Sequence, residues 1–323
     1  MVDKREEQIQ TQEEVDDSPR PARFSTVYRL FFSTRLRATV TILFLLAAVT
    51  GFCFVAYAYF VESRALRTVE YTVVSPDLPS EFDGTVIVFI TDTHQGRWGT
   101  FDLRSKVVEL TEKENPDLIL FGGDYADKQY YKVEALAESM NALSAPLGKF
   151  GVPGNHDYVH LTMEKVMRIL HEKGGIANLT DKGVWLEKNG QRIRLVGTEY
   201  VWNRRFPLQF PFYEMNDRTE DDFVLLLTHS PDLFDLFDSE HQRRIDLVLS
   251  GHSHGGQITF FGLYAPISML RNRAYVSGRV DVEHYPYDKT TVVITSNGVG
   301  TTGVPLRFFA PPQIVKVTLK SRQ

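Results

Sequence analysis

At 323 residues, 43% of them hydrophobic and 24% charged, the chain has ample material for a core and suits one large domain or two smaller ones. A formal charge of −5 carries no basic excess, which argues against nucleic acid as a partner. The single cysteine, Cys53, excludes an intrachain disulfide and a cysteine-ligated cluster, so a bound metal must use histidine, carboxylate or amide ligands.

Residues 1–22 are polar and interrupted by Pro19 and Pro21, a composition that predicts a disordered tail. Residues 23–37, with Arg23, Arg29, Arg35 and Arg37, read as a basic juxtamembrane segment. Residues 38–61, "ATVTILFLLAAVTGFCFVAYAYFV", carry no charge and exceed the ~20 apolar residues that cross a bilayer as a helix. The membrane is therefore an expected partner. A cleaved signal peptide is the rival, with Ala56-Tyr57-Ala58 as a processing site, but the apolar run is longer than such segments. Arginines crowd the N-terminal flank, while Arg64 and Arg67 follow the span. This predicts a single-pass inner-membrane protein with a cytoplasmic N-terminus and an extracytoplasmic domain over 62–323.

Within that domain, "GTVIVFI" (84–90), "PDLILFG" (116–122), "GKFGVPG" (148–154), "DFVLLLT" (222–228) and "IDLVLSG" (245–251) read as buried strands. Helical spacing appears in "DLRSKVVELTEKE", "KVEALAESMNAL" and "TMEKVMRILHEK". "GVWLEKNGQRIRLVG" predicts a hairpin turning at Asn189-Gly190, followed by strands at "RAYVSGRV", "TTVVITS" and "QIVKVTL". Alternating strands and helices followed by antiparallel strands predict two packed sheets with helices outside.

The polar residues that follow the five apolar runs share one character. They are Asp92 and His94 in "TDTH", Asp124 and Asp127 in "GGDYAD", and Asn155, His156 and Asp157 in "GNHD". His229 follows in "THSP", and His252 and His254 in "GHSH". Residues at the carboxyl ends of strands in an open α/β sheet converge on one crevice. Five of the nine histidines would then meet several carboxylates and an amide there. Such donors suit Mn, Fe or Zn, and they are too many for one ion, so two divalent transition-metal ions are expected.

Those five blocks, in that order, resemble the calcineurin-like metallophosphoesterases. "GHSHGGQI" and the closing "SNGVGTTGVPLRFFAPPQI" look most like the membrane-associated bacterial branch. The resemblance implies an α/β fold with a four-layer α/β/β/α sandwich, here preceded by one transmembrane helix, and a metal-dependent hydrolase. It assigns one metal to Asp92, His94, Asp124 and His254, and the second to Asp124, Asn155, His229 and His252. Two such cations depress the pKa of a shared water and neutralise charge at phosphorus. His156 is then the group acting on the leaving oxygen, with Asp127 holding its ring; the plainer role for Asp127 is a cap on the next helix. The glycines around the histidines would let metal and substrate approach the backbone. Protein phosphatases of the superfamily carry arginine where Lys128 stands, and lysine cannot form the bidentate fork, so a phosphoprotein substrate is not expected.

The segment 200–222, with Trp202, Phe206, Phe210, Phe212, Tyr213, Arg204 and Arg205, is long and lacks clear periodicity. It and "FFGLYAP" (260–266) either line an apolar cleft or cap a core edge. With the membrane span they favour a lipid-linked phosphate substrate, and relatives in the superfamily suggest UDP-2,3-diacylglucosamine hydrolysis in lipid A synthesis. That lipid belongs to the cytoplasmic face, in conflict with the predicted orientation. The alternatives are a general phosphodiesterase or phosphomonoesterase and a non-catalytic binding module; no obligate protein partner is inferred.

Overall fold

The computed structural model describes residues 34–96, 99, 101–127, 129–159, 162–198 and 222–322. The expected tail, most of the basic segment, Lys128 and the aromatic segment 199–221 lie outside the described residues. Residues up to Phe54 form one compact unit and those from Val55 another. A 27-residue helix, α1 (Thr34–Phe60), begins in the first unit and ends in the second. Its apolar side chains are exposed, and it is long and apolar enough to cross a membrane.

The second unit holds two six-stranded sheets. In the first, β1 (Arg67–Ser75), β12 (Gln313–Ser321), β2 (Val86–Ile90), β3 (Leu118–Phe121), β4 (Lys149–Gly151) and β5 (Ala177–Asn178) lie side by side. In the second the order is β10 (Gly278–Glu283), β11 (Thr290–Thr295), β9 (Leu247–Ser250), β8 (Val224–Leu227), β7 (Gln191–Gly197) and β6 (Lys182–Lys188). Alternation of side chains along each strand divides the core. Ile87, Phe89, Leu118, Leu120, Leu225, Leu227, Leu247 and Leu249 fill the space between the sheets. Val88, Ile90, Ile119 and Phe121 face instead α2 (Arg104–Lys113), α3 (Tyr130–Met140) and α5 (Met163–Gly174), the last preceded by the short α4 (Asn155–Val159). Burial on both faces explains why these strands read as unbroken apolar runs. The α5 helix presents Val166, Met167, Ile169 and Leu170 to that layer and stops at Gly175, whose left-handed φ of 63° lets its N–H reach back into the last turn.

The Asn189-Gly190 turn has φ values of 49° and 81°, the left-handed pair that a two-residue hairpin needs. Three expectations are corrected. β1 follows the apolar helix directly and pairs in parallel with β12 over nine residues, an edge strand that the sequence reading left out. In the second sheet β7, β8, β9 and β11 run parallel, and only the outer pairs with β6 and β10 are antiparallel. "RAYVSGRV" is not one strand, because Arg273–Tyr275 forms a 3₁₀ turn capped by Asn272 and β10 starts at Gly278. Among the described residues the outer layer on this sheet consists of 3₁₀ turns and the short α6 (Ser239–Gln242).

One buried carboxyl ties the two sheets. Asp246 accepts from the Ser75 hydroxyl at the end of β1 (2.8 Å) and from the Val224 N–H of β8 (2.8 Å). Burial, reinforced by the nearby Asp77 charge, pushes it up to about 7. Its ordinary value is near 3.9, so its contribution to stability is fully present below about pH 4 and is lost as pH rises to about 7. Urea unfolding of the full chain in detergent should therefore show the wild type losing stability relative to Asp246→Asn between those pH values, with a constant difference above them. A pH-independent difference would contradict the assignment.

Candidate metal centre

The parallel strands β2, β3 and β4 of one sheet and β8, β9 and β11 of the other end at the same edge, and each is followed by a short polar turn. At these turns Asp92, His94, Asp124, His252 and His254 have φ values of 54°, 42°, 53°, 69° and 52°. Left-handed backbone costs an L residue roughly 1–2 kcal/mol, and such positions persist where the surrounding structure enforces them. The sharp reversal turns each donor back into the crevice instead of letting it continue along the strand.

The polar residues that follow the five apolar runs meet there. Across the sheets, His94 Nε2 lies 3.1 Å from His254 Nε2, and between the neighbouring strands β8 and β9 His229 Nε2 lies 3.1 Å from His252 Nδ1. Asp124 sits between these pairs, its Oδ2 3.4 Å from His94 Nε2 and 3.5 Å from His229 Nε2. Asn155 Oδ1 is 3.0 Å from His229 Nε2, and Asp92 Oδ1 is 3.5 Å from His254 Nε2. His156 Nδ1 and His94 Nδ1 lie 3.1 and 3.2 Å from the same oxygen of Asp127. Asp127 thus supports a second imidazole besides that of His156. It does not cap α3, which starts at Tyr130 with Gln129 at the N-cap. The ring of His156 stands at 87° to that of His94 and is the partly exposed imidazole of the cluster.

The fit to cations follows from proton counting. His229 Nδ1 donates to the Gly122 carbonyl (2.7 Å), so in the neutral ring Nε2 presents a lone pair to Asn155 Oδ1, His252 Nδ1 and Asp124. His94 Nδ1 faces the Asp127 carboxylate, so its Nε2 likewise faces His254 and Asp124. Asp92 Oδ1 is buried with no hydrogen-bond partner. Lone pairs gathered in this way call for positive charge at two points, one on each side of Asp124. The electrostatics divide the rings, with His229 taking the positive charge that Asp124 calls for and His252 and His254 staying neutral. Burial and the neighbouring His229 charge push His252 down to about 3, and burial with His94 and Arg307 lowers His254 further, leaving both rings as neutral donors. Burial also lowers His229, but the Asp124 carboxylate overcomes it and lifts the ring to about 9. Burial opposes ionisation of Asp124, and the His229, His94 and His156 rings outweigh it, holding the carboxylate low. Asp127 is held low by His156 and His94 against the same penalty.

Two supporting residues carried no assigned role at the sequence level. Asp157 is fully buried and accepts from the N–H groups of Gly154 (2.8 Å), Asp124 (2.9 Å) and Tyr125 (3.2 Å), fixing the strained turn at Asp124. Arg307 is equally buried and donates to the carbonyls of Asn297 (2.8 Å), His254 (3.3 Å), Ala310 and Gly300, with Nη2 3.5 Å from His254 Nδ1. Only the "HD" and "LR" pairs in the quoted motifs pointed at these two. The role expected for the glycines is corrected as well. A Cβ on Gly251 would stand 2.3 Å from Asp92 Oδ2, one on Gly255 2.3 Å from Asn297 Oδ1, and one on Gly256 2.3 Å from Ala265 Cβ. They make room for neighbouring side chains.

The profile of the calcineurin-like phosphoesterases matches residues 85–256. The chain belongs to that family. An uncharacterized metallophosphoesterase of Bacillus subtilis is 32% identical over 82% of this chain and 89% of its own. One of Aquifex aeolicus is 31% identical over 83% and 96%. A transmembrane protein with a metallophosphoesterase domain from Danio rerio is 26% identical over 79% of this chain, which spans 57% of that longer relative. Membership makes this metallophosphoesterase a metal-dependent phosphoester hydrolase with an α/β two-sheet fold.

Replacing Asp157 by alanine leaves three backbone donors without their acceptor, at roughly 1–3 kcal/mol each. Urea unfolding of Asp157→Ala should show a loss of about 3 kcal/mol or more. A loss below about 1 kcal/mol would mean that the turn at Asp124 is held by something else.

Proposed function

We propose that this metallophosphoesterase is a membrane-anchored enzyme using two metal ions to cleave a lipid-linked phosphate ester or pyrophosphate. The observation that carries the reading is the two facing imidazole pairs with Asp124 between them. In this reading Asp92, His94, Asp124 and His254 hold one ion, and Asp124, Asn155, His229 and His252 hold the other. Nitrogen and oxygen donors without thiolate suit Mn, Fe or Zn. Bound there, such ions supply Lewis-acid neutralisation of the phosphoryl charge and a water nucleophile at neutral pH.

The chain's own residues do the rest. Asp127 fixes His156 through Nδ1, and this partly exposed ring hands a proton to the leaving oxygen. Because Asp127 also fixes His94, the leaving-group residue and a metal donor share one anchor. Arg307 and Asp157 keep the donor turns in place so that no reorganisation is needed as charge develops.

The organisation we propose is a polar tail over 1–22, a basic segment over 23–37, a transmembrane helix over 38–61 and the catalytic domain over 62–323. The arginines before the helix support a cytoplasmic N-terminus and an extracytoplasmic domain. UDP-2,3-diacylglucosamine is the most specific substrate to test, and it demands the opposite orientation. Water-soluble phosphomonoesters and phosphodiesters are the comparison. Hydrolysis of all three by the full chain with Mn²⁺ ranks them.

Metal analysis should find about two transition-metal ions per chain, and Asp124→Asn should lose both. Full metal retention by that variant would remove the two-ion reading. His156→Ala should keep its metals and lose on the order of 10²–10⁴-fold in rate, less with nitrophenolate as leaving group. Equal losses on good and poor leaving groups would reassign His156 to phosphate binding.

A further inference from the structure

After Gln257 the chain leaves the metal donors and turns outward into an apolar loop. Phe261, Leu263 and Ile267 are 75%, 90% and 78% exposed, with Phe260, Tyr264 and Met269 exposed beside them. Isolated exposed apolar residues need no explanation, but a contiguous apolar segment marks a surface that meets something. The loop is built rather than frayed. Phe260 N–H donates to the Tyr264 carbonyl (2.8 Å), and Thr259 N–H and Phe308 N–H donate to Phe308 and Gln257 carbonyls (2.9 Å each).

Behind the loop lies a cavity of about 310 Å³, at the lower end of the ~300–1,000 Å³ of small-molecule sites. Ile258, Pro266, Ile267, Met269 and Val304 line it, and it reaches His254. The Gln257 amide in its wall spends both of its donors on the protein. Its Nε2 donates to the Thr302 and Val304 carbonyls (2.8 Å each), and its Oε1 accepts from Thr302 N–H (2.7 Å). Such a wall has little to offer a sugar or an ion and suits a hydrocarbon chain.

The loop also adjoins the turn where α1 ends. Phe309 packs against Phe261 with ring centres 5.2 Å apart, and Phe308 packs edge-on against Tyr57. Arg307 N–H donates to the Ala58 carbonyl (3.3 Å) and Ala310 N–H to Glu62 Oε1 (2.7 Å). Exposed Arg271 and Arg273 follow the loop, with Arg273 over the Tyr264 ring. An apolar tip, an aromatic shoulder and neighbouring arginines form the composition of a bilayer interface, where rings sit at headgroup level and guanidinium meets phosphate.

We propose that loop Ile258–Met269 is seated in the bilayer surface and that the cavity behind it admits the hydrocarbon chain of a lipid phosphoester to the His254 side of the site. The bilayer is the occupant because the loop is bonded to the 307–310 segment, and that segment is bonded to the end of the one described helix able to cross a membrane. The chain-binding half rests on the phosphoesterase reading above, and the surface half does not.

Two measurements on the full chain separate them. A nitroxide at Leu263→Cys, in a Cys53→Ser background and in phosphatidylethanolamine–phosphatidylglycerol vesicles, should be several-fold more accessible to oxygen than to a nickel chelate. The same label at Tyr285→Cys, in the turn at the opposite strand ends, should favour the chelate. A chelate-accessible label at 263, or one shielded from both relaxants by protein, overturns the surface. In lipid nanodiscs with Mn²⁺, kcat/KM for para-nitrophenyl methyl, butyl and octyl phosphate should rise by up to about fourfold per buried methylene. Val304→Trp, which narrows the cavity, should flatten the rise. A flat wild-type series with measurable hydrolysis overturns the chain site and leaves the phosphoesterase standing. No hydrolysis of any ester defeats both, while the nitroxide still decides the surface.

Discussion

Buried lone pairs that face one another are the constraint on which the rest of this structure depends. Asp124 brings a carboxylate between two imidazole pairs whose nitrogens approach to 3.1 Å. Two ring nitrogens at that distance can share one proton at most, and burial removes the water that would otherwise separate them. The lift of His229 to about 9 and the depression of His252 to about 3 are opposite responses to one field. The first ring answers the Asp124 charge, and the second answers burial and its charged neighbour.

Holding that arrangement accounts for much of the surrounding architecture. Two sheets with strand ends at a common edge supply donors from both sides, which a single sheet would not. The left-handed turns that aim Asp92, His94, Asp124, His252 and His254 would relax without external support. Asp157 gives it to the Asp124 turn through three N–H groups, and Arg307 gives it to His254 through carbonyls on the 297–310 segment. Arg307 also belongs to the segment tied to Ala58 and Glu62, so the end of the apolar helix and a donor of the site share one structural support.

The donors were legible in the sequence because each follows an apolar strand directly, and the strand type alone decides where such a residue emerges. The Asn189-Gly190 hairpin was legible for a similar local reason, its two left-handed residues. What lay hidden depends on partners distant in the chain. β1 is half exposed and mixes charged with apolar residues, so it carries no unbroken apolar run of the kind that marked the buried strands. The parallel course of β7, β8 and β9 is a matter of crossover, which spacing between apolar runs does not encode. Arg307 lies in a loop 53 residues after His254, and only the folded chain brings its guanidinium to that backbone. Asp157 stood inside a recognised motif, but its work is done on backbone donors, which leave no trace in side-chain chemistry.

The proposed lipid-linked substrate draws on the uncharged apolar helix near the N-terminus and on the apolar loop beside the donors. That reading stands only if Asp124 bridges two cations. Electron paramagnetic resonance of the full chain loaded with Mn²⁺ addresses this without reference to turnover. The account predicts the spectrum of a spin-coupled manganese pair, collapsing in Asp124→Asn. A spectrum of isolated, uncoupled ions in the fully loaded wild type would contradict it.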